Sequence, residues 1–396
     1  MTEAFHERLK APIPTAELRR RSAALTEAMR REGIDCVLAQ NITQYLGGCN
    51  RWLTDTTAEN QYPQSSFLSR DGEIGYIACS GPPLDLYPPS HLLRIGKPWA
   101  AAPYFSVFKH THDWEGRLFT QWALEHKIRK LGVAGLGMFQ WNYYDYIARH
   151  LPDVEIVDAA PLFDALRALK SQDEIACLKA SAAVEDKIMA YIPAFAQPGV
   201  REYELRSKIM QLVTDLGGEE MIVLIGSSPA GERPVPLASF FQNRTLARGD
   251  SLYICLSASG PGGMFTTVGR MFSVGAEPAP SLRKAYAEAV RAEEKLSGLL
   301  QIGQNPQVVF ALYNEYLGGR GLRPETGLFA FGQGYDHVER PSIQPGETMP
   351  LAPDMCLAVN AAAVSADWAG YSADTFLLRA AGPVRLNKTP LEVFRT

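Results

Sequence analysis

The sequence predicts an α+β protein of two domains, and three observations carry that expectation. Along the first 160 residues helical and strand-like segments alternate, a rhythm that favours a sheet covered by helices. From Pro161 onward a long helical stretch is followed by strand-like runs and further helices in groups, which favours an α+β arrangement. At 396 residues the chain is also long enough for more than one hydrophobic core. The expected domains are 1–160 and 161–396.

The elements follow in order. Thr15 to Gly33 carries apolar residues at helical spacing beside a basic face, and predicts a helix. The runs at 34–39 and 73–79 predict short strands, the second after the turn-like Arg70-Asp71-Gly72. The runs at 130–137 and 154–159 predict strands on either side of a helix over 141–151. Two or three helical segments are expected between Ala165 and Leu216. Strands are expected at 220–226, 250–259 and 266–275, helices at 281–300 and 305–321, and closing strands at 355–364 and 372–382.

Composition excludes several classes of protein. An ordinary apolar content of 46% and a net charge of −4 do not suggest nucleic acid as a partner. No apolar run approaches the roughly 18 residues of a membrane span, so no membrane association is expected. The charged N-terminus has no apolar core and predicts no signal peptide. Six scattered cysteines without a CxxC pair predict a reduced, cytoplasmic protein. His110 and His112 flank Thr111 as a metal clip would, but with no third ligand in view they read as an exposed loop. The Ser257–Gly263 segment reads as a hairpin. It is not a phosphate loop, because no helix with Lys-Ser/Thr follows it.

A set of short motifs spans the C-terminal half in order. They are Lys170-Ser171 with Glu174-Ile175; Asn243-Arg244 with Arg248-Gly249-Asp250; Gly269 to Gly275; Gly332 to Pro341; Asp354-Met355 through Asn360; and Asp374-Thr375. In these motifs the chain resembles the creatinase, prolidase and aminopeptidase P family. The N-terminal half resembles it in length and αβ rhythm, and at Tyr45-Leu46-Gly47-Gly48. The resemblance implies a creatinase-like N-terminal αβ domain, a C-terminal pita-bread domain and a homodimer.

It also implies a site. Peptidases of that family hold two divalent metals with two Asp, one His and two Glu, and use them to generate hydroxide. The corresponding positions here are Cys255 (or Leu256, depending on the strand end from which one counts), Thr267, Phe331, Asn360 and Ala373. None has the ligand type, so no metal and no cofactor are expected. Creatinase works without metal, but its general-base histidine falls at Ala238 and its substrate-gripping glutamates at Gly269 and Asn360. Creatine is therefore rejected as a substrate.

The remaining candidates have competing readings. Cys255 is a nucleophile, a soft ligand or inert strand packing. Phe331 fills the space of a lost ligand or stacks on a substrate. Asn360 orients an amide or satisfies a strand. Arg270 reads as structural, paired with a carboxylate. His337 and Glu339 form the expected proton-transfer pair, since His337 is the one histidine of the C-terminal half; their pairing would raise the imidazole pKa. The expected substrate-binding residues are Arg51, Trp52, Cys255, Thr267, Phe331, Gln333 and Asn360. Arg51 or Trp52 would arrive from the other subunit, as the comparable loop does in creatinase-like dimers. Two functions remain open at this level. One is a metal-independent enzyme acting on a small metabolite by hydrolysis, elimination or rearrangement. The other is a non-catalytic pseudo-peptidase that binds a ligand or a protein.

Overall fold

The computed structural model describes residues 13–41, 48–56, 63–79, 94–102, 113–238 and 243–396, so Tyr45–Gly47, His110 and His112 lie outside the described residues. It divides into two compact units, Met1–Arg167 and Ala168–Thr396.

In the first unit the order is α1 (Thr15–Arg31), β1 (Cys36–Asn41), α2 (Gly48–Thr54), β2 (Gln64–Ser69), β3 (Ile74–Cys79), β4 (Lys97–Ala102), α3 (Trp114–Glu125), β5 (Lys130–Ala134), α4 (Trp141–His150), β6 (Glu155–Asp158) and α5 (Ala160–Ala168). The strands form one sheet in the order β4-β3-β2-β1-β5-β6 among the described residues. β1 runs antiparallel to β2 and parallel to β5. Alternate residues Cys36 and Leu38 enter a core with Phe67, Phe119, Trp122 and Tyr143. Phe67 lies 4.3 Å from the Trp122 ring and 5.6 Å from Phe119. The expected boundary at Pro161 shifts to Arg167 because α5 belongs to this unit, with Phe163 meeting Trp52 edge-on at 6.1 Å.

The second unit runs α6 (Gln172–Phe195), α7 (Glu202–Asp215), β7 (Glu220–Ser228), β8 (Leu237–Ala238), β9 (Ser251–Ser259), β10 (Phe265–Ser273), α8 (Pro280–Leu299), α9 (Pro306–Gly319), β11 (Ala330–Gly332), β12 (Glu339–Ser342), β13 (Cys356–Val364), β14 (Ala369–Arg379), β15 (Gly382–Arg385) and β16 (Phe394–Arg395). Its curved sheet has the order β12-β11-β13-β14-β10-β9-β7-β8, with β15 beside β14 and β16 beside β10. This is the pita-bread architecture.

Two helical pairs cover the outer face of this sheet. α6 packs on β9 and β10, α7 on β7, and α8 on β13 and β14. Strand periodicity decides what each helix meets. On β9 the even residues Leu252, Ile254, Leu256 and Ala258 enter the core beneath α6 and α7. The odd residues Tyr253, Cys255 and Ser257 face a cavity. On β13 the odd residues Leu357, Val359, Ala361 and Ala363 join the core under α8 and α9.

The long helical stretch beyond Pro161 is divided at Leu169–Ser171, between α5 and α6. Ser171 starts α6 with a capping box: its hydroxyl accepts from Glu174 N (3.3 Å), and Glu174 Oε2 accepts from Ser171 N (2.7 Å). Lys170 buries its ammonium against Glu339 at 2.5 Å. The Lys170-Ser171-x-x-Glu174 motif is therefore architectural: one residue caps a helix and its neighbour ties that helix to β12.

Candidate active site

A cavity of about 330 Å³ opens on the concave side of the second unit's sheet. Its wall alternates down β9 as Tyr253, Cys255 and Ser257, with Phe331 on β11, Asn360 on β13 and Tyr371 on β14. His337 and Glu325 reach it from loops. Ile222, Leu224, Pro236, Leu328 and Phe329 give the rest an apolar character.

Each titratable group is shaped by burial. Desolvation lowers the His337 imidazole to about 4, so it is neutral at pH 7. Its ring meets Phe331 edge-on at 5.4 Å and Phe265 at 5.8 Å. Burial pushes the Cys255 thiol up to about 12, so the sulfur stays protonated, 3.9 Å from Asn360 Oδ1. Burial also raises the Glu325 carboxyl to about 7.

Behind the cavity lies a polar relay. The hydroxyls of Ser257 and Thr267 are 2.8 Å apart, and Gln333 Nε2 donates to Thr267 Oγ1 at 2.8 Å. Gln333 Oε1 lies 3.1 Å from the Thr375 hydroxyl, which also accepts from Thr267 N at 2.7 Å. Asn387 accepts from Thr375 N and donates to Glu185 Oε2 at 3.0 Å. Glu185 is fully buried, and desolvation holds its carboxyl well above the usual range. Arg270 staples this floor. It reaches both Asp374 oxygens at 2.9 Å and also donates to the carbonyls of Gly269, Ala373, Thr389 and Pro390.

The expected site residues separate accordingly. Cys255, Phe331, His337 and Asn360 line the cavity together. Leu256 faces the α6–α7 core, which leaves Cys255 as the strand position on the cavity side. Thr267 and Gln333 are buried in the relay, with Thr267 1% and Gln333 0% exposed. Glu339 does not form the expected proton-transfer pair with His337. Its Oε2 accepts from Lys170 and its Oε1 from Asp336 N at 3.3 Å, and the imidazole pKa moves down instead of up. Glu339 thus holds the turn that carries His337. Arg51 and Trp52, expected on a loop crossing to a second subunit, sit instead on the short helix α2 and are buried. Arg51 Nε lies 3.8 Å from Asp55, and Arg21 donates to Trp52 O at 2.8 Å. Glu325, Tyr253 and Tyr371 were missed. Tyr253 shares the parity of Cys255 on an expected strand, Tyr371 lies one residue before the expected start at 372, and Glu325 lies in a loop with no periodic signal.

Residues 176–387 match the model of metallopeptidase family M24, more than half of the sequence, and the chain belongs to that family. Among individual proteins it is similar to the probable dipeptidase PepE of Mycobacterium tuberculosis, at 25% identity over 232 residues, 58% of this chain and 60% of that protein. It is similar also to the uncharacterized peptidase YqhT of Bacillus subtilis, at 23% over 236 residues, 59% of this chain and 65% of that protein. The chain thus spans less than two-thirds of the length of these curated relatives. Its fold is that of dipeptidase PepE from Mycobacterium ulcerans, with a TM-score of 0.76 at 20% identity over 97% of this chain and 99% of the other. It is equally that of X-Pro aminopeptidase from Thermotoga maritima, at 0.78 and 16% over 95% and 99%. The family and these peptidase relatives overturn both functional expectations, the metal-independent metabolite enzyme and the non-catalytic pseudo-peptidase.

The metal centre that the family name implies can be tested against the donors in this cavity. Two hard cations need several converging carboxylates and imidazoles. The described residues contain no group of three or more His, Cys, Asp or Glu placed to hold an ion. On β10, across from Cys255, a Cβ on Gly269 would overlap the Tyr253 phenol oxygen, so an aromatic ring takes the space beside that strand. The described residues of this cavity do not fit a two-metal centre.

Proposed function

We propose that this chain is a peptide hydrolase acting on short peptides, bound in the cavity of the second unit. The carrying observation is positional: the cavity is built from β7, β9, β11, β13 and β14, within the segment that matches the peptidase family. Its volume of about 330 Å³ suits a ligand of dipeptide size better than a long chain. Asn360 offers an amide that can pair with a peptide group. His337, neutral at pH 7, can accept a proton at one ring nitrogen while donating from the other. Phe331 packs against that ring and fixes its plane. The protonated Cys255 thiol forms part of the wall and is not the nucleophile.

The test is release of free amino acids from a dipeptide panel, with no added metal, with chelator, and with Mn²⁺, Co²⁺ or Zn²⁺ in turn. Hydrolysis that falls at least about tenfold in both His337→Ala and Asn360→Ala supports the reading. An absence of release under every condition overturns it. We also propose a homodimer, on the family resemblance; a monomeric mass in light scattering would overturn that.

A further inference from the structure

Glu325 has an unusual setting. Asn314 on α9 clamps its backbone from both sides, accepting from Glu325 N at 2.7 Å and donating to Glu325 O at 3.1 Å. The clamp fixes a loop residue as firmly as a strand would. The carboxylate itself has no hydrogen bond or ion pair among the described residues, although it is partly buried and lines the cavity. Among the described residues no Lys or Arg lines the cavity, Arg233 acts on the Tyr371 phenol without joining the wall, and His337 is neutral. The other walls are aromatic. The Tyr253 and Tyr371 rings lie 5.0 Å apart, centroid to centroid, with Phe329 and Phe331 nearby.

A desolvated carboxylate without a partner is costly unless a ligand completes it. The ionised carboxylate repels an anion, and a neutral ligand leaves it unpaired. A cation gains from both the carboxylate and the aromatic faces. We propose that Glu325 is the specificity-determining residue of this cavity and that it selects ligands bearing an organic cation, an ammonium or guanidinium on an apolar body. The inference deepens the peptide-hydrolase reading and rests on it for the ligand's class. The cation has two sources in a peptide, the α-ammonium group or a basic side chain.

Titration calorimetry on the full chain separates them. Leu-Leu against N-acetyl-Leu-Leu probes the α-ammonium. Nα-acetyl-lysine amide against Nα-acetyl-norleucine amide probes the side chain. The expected result is a preference of at least about tenfold for the cation in one pair, collapsing to about onefold in Glu325→Gln, an isosteric change that leaves the Asn314 clamp intact. Equal binding of cation and neutral isostere in both pairs, retention of the preference in Glu325→Gln, or no binding of any cationic probe at millimolar concentration overturns the proposal. Hydrolysis of Leu-Leu and N-acetyl-Leu-Leu, followed in parallel, keeps the two readings distinct. Cation-selective binding without hydrolysis defeats only the hydrolase reading. Hydrolysis indifferent to N-acetylation in both parent and variant, with lysine and norleucine probes bound alike, defeats only the role of Glu325.

Discussion

Single residues in this protein take roles that their neighbours in sequence do not announce. Glu339 and His337 stand two apart, yet one is spent on Lys170 and the other faces the cavity. The Lys170–Glu339 side chains are only 3% and 5% exposed, so removing one partner takes the counter-ion from a buried charge. Lys170→Met is expected to cost about 3–5 kcal/mol in urea denaturation. The double variant with Glu339→Gln should recover most of that loss, because the buried charge without its counter-ion goes with it. A loss under about 1 kcal/mol in Lys170→Met would show the carboxylate to be satisfied without the lysine. Gly334 belongs to the same arrangement. A Cβ there would overlap the Glu339 carboxylate, so Gly334→Ala should lower the melting temperature and weaken ligand binding at His337 together. Unchanged values for both would separate that turn from the cavity.

At the level of helices and strands, the start of α6 is the clearest case of sequence dictating structure. Ser171→Ala removes one half of the capping box and is expected to cost about 1 kcal/mol, with faster amide exchange confined to the first turn of α6. Uniform exchange along the whole helix would contradict the local origin. The longer elements were legible because burial writes a period into them. β9 alternates between core and cavity, and α8 buries Leu282, Ala285, Tyr286, Ala289 and Ala292 at helical spacing. β2 escaped notice because its buried positions include Ser65 and Ser66; Ser65 hydrogen-bonds Glu115, so polarity there is not a sign of exposure. β4 begins Lys97-Pro98, a poor strand signal at an edge. Within the site, four cavity residues were readable from motif spacing. Thr267 and Gln333 were placed a layer too far forward, since spacing gives position along a strand and not the depth of a hydrogen-bonded relay.

For the molecule as a whole, two cavity groups oppose each other in their effect on stability. His337 has its pKa lowered to about 4, below its unfolded value of 6.5, so the unfolded chain binds more protons between them. Stability from this group is full above about 6.5 and is lost as pH falls toward 4. Glu325 is raised from 4.5 to about 7, so the folded chain binds more protons in that window, and its stability is lost as pH rises through it. Each effect is at most about 3 kcal/mol, and the two partly cancel. Relative to the parent, His337→Phe should be more favoured at pH 5 than at pH 7.5, and Glu325→Gln should be more favoured at pH 7.5 than at pH 5, in denaturant titrations at both pH values. Parallel shifts for the two variants would refute the opposition.

The overlap between position 269 and the Tyr253 phenol also couples the two positions under substitution. Any side chain introduced at Gly269 must first displace a ring packed beneath α8 with Met271, Leu282 and Tyr286. Shrinking Tyr253 alone opens a void, and enlarging Gly269 alone creates a clash, so each change is harmful until the other is present. Exchange of this pair for a side chain at 269 over a smaller residue at 253 therefore passes through an unfavourable intermediate whichever position changes first, and the same holds in the reverse direction.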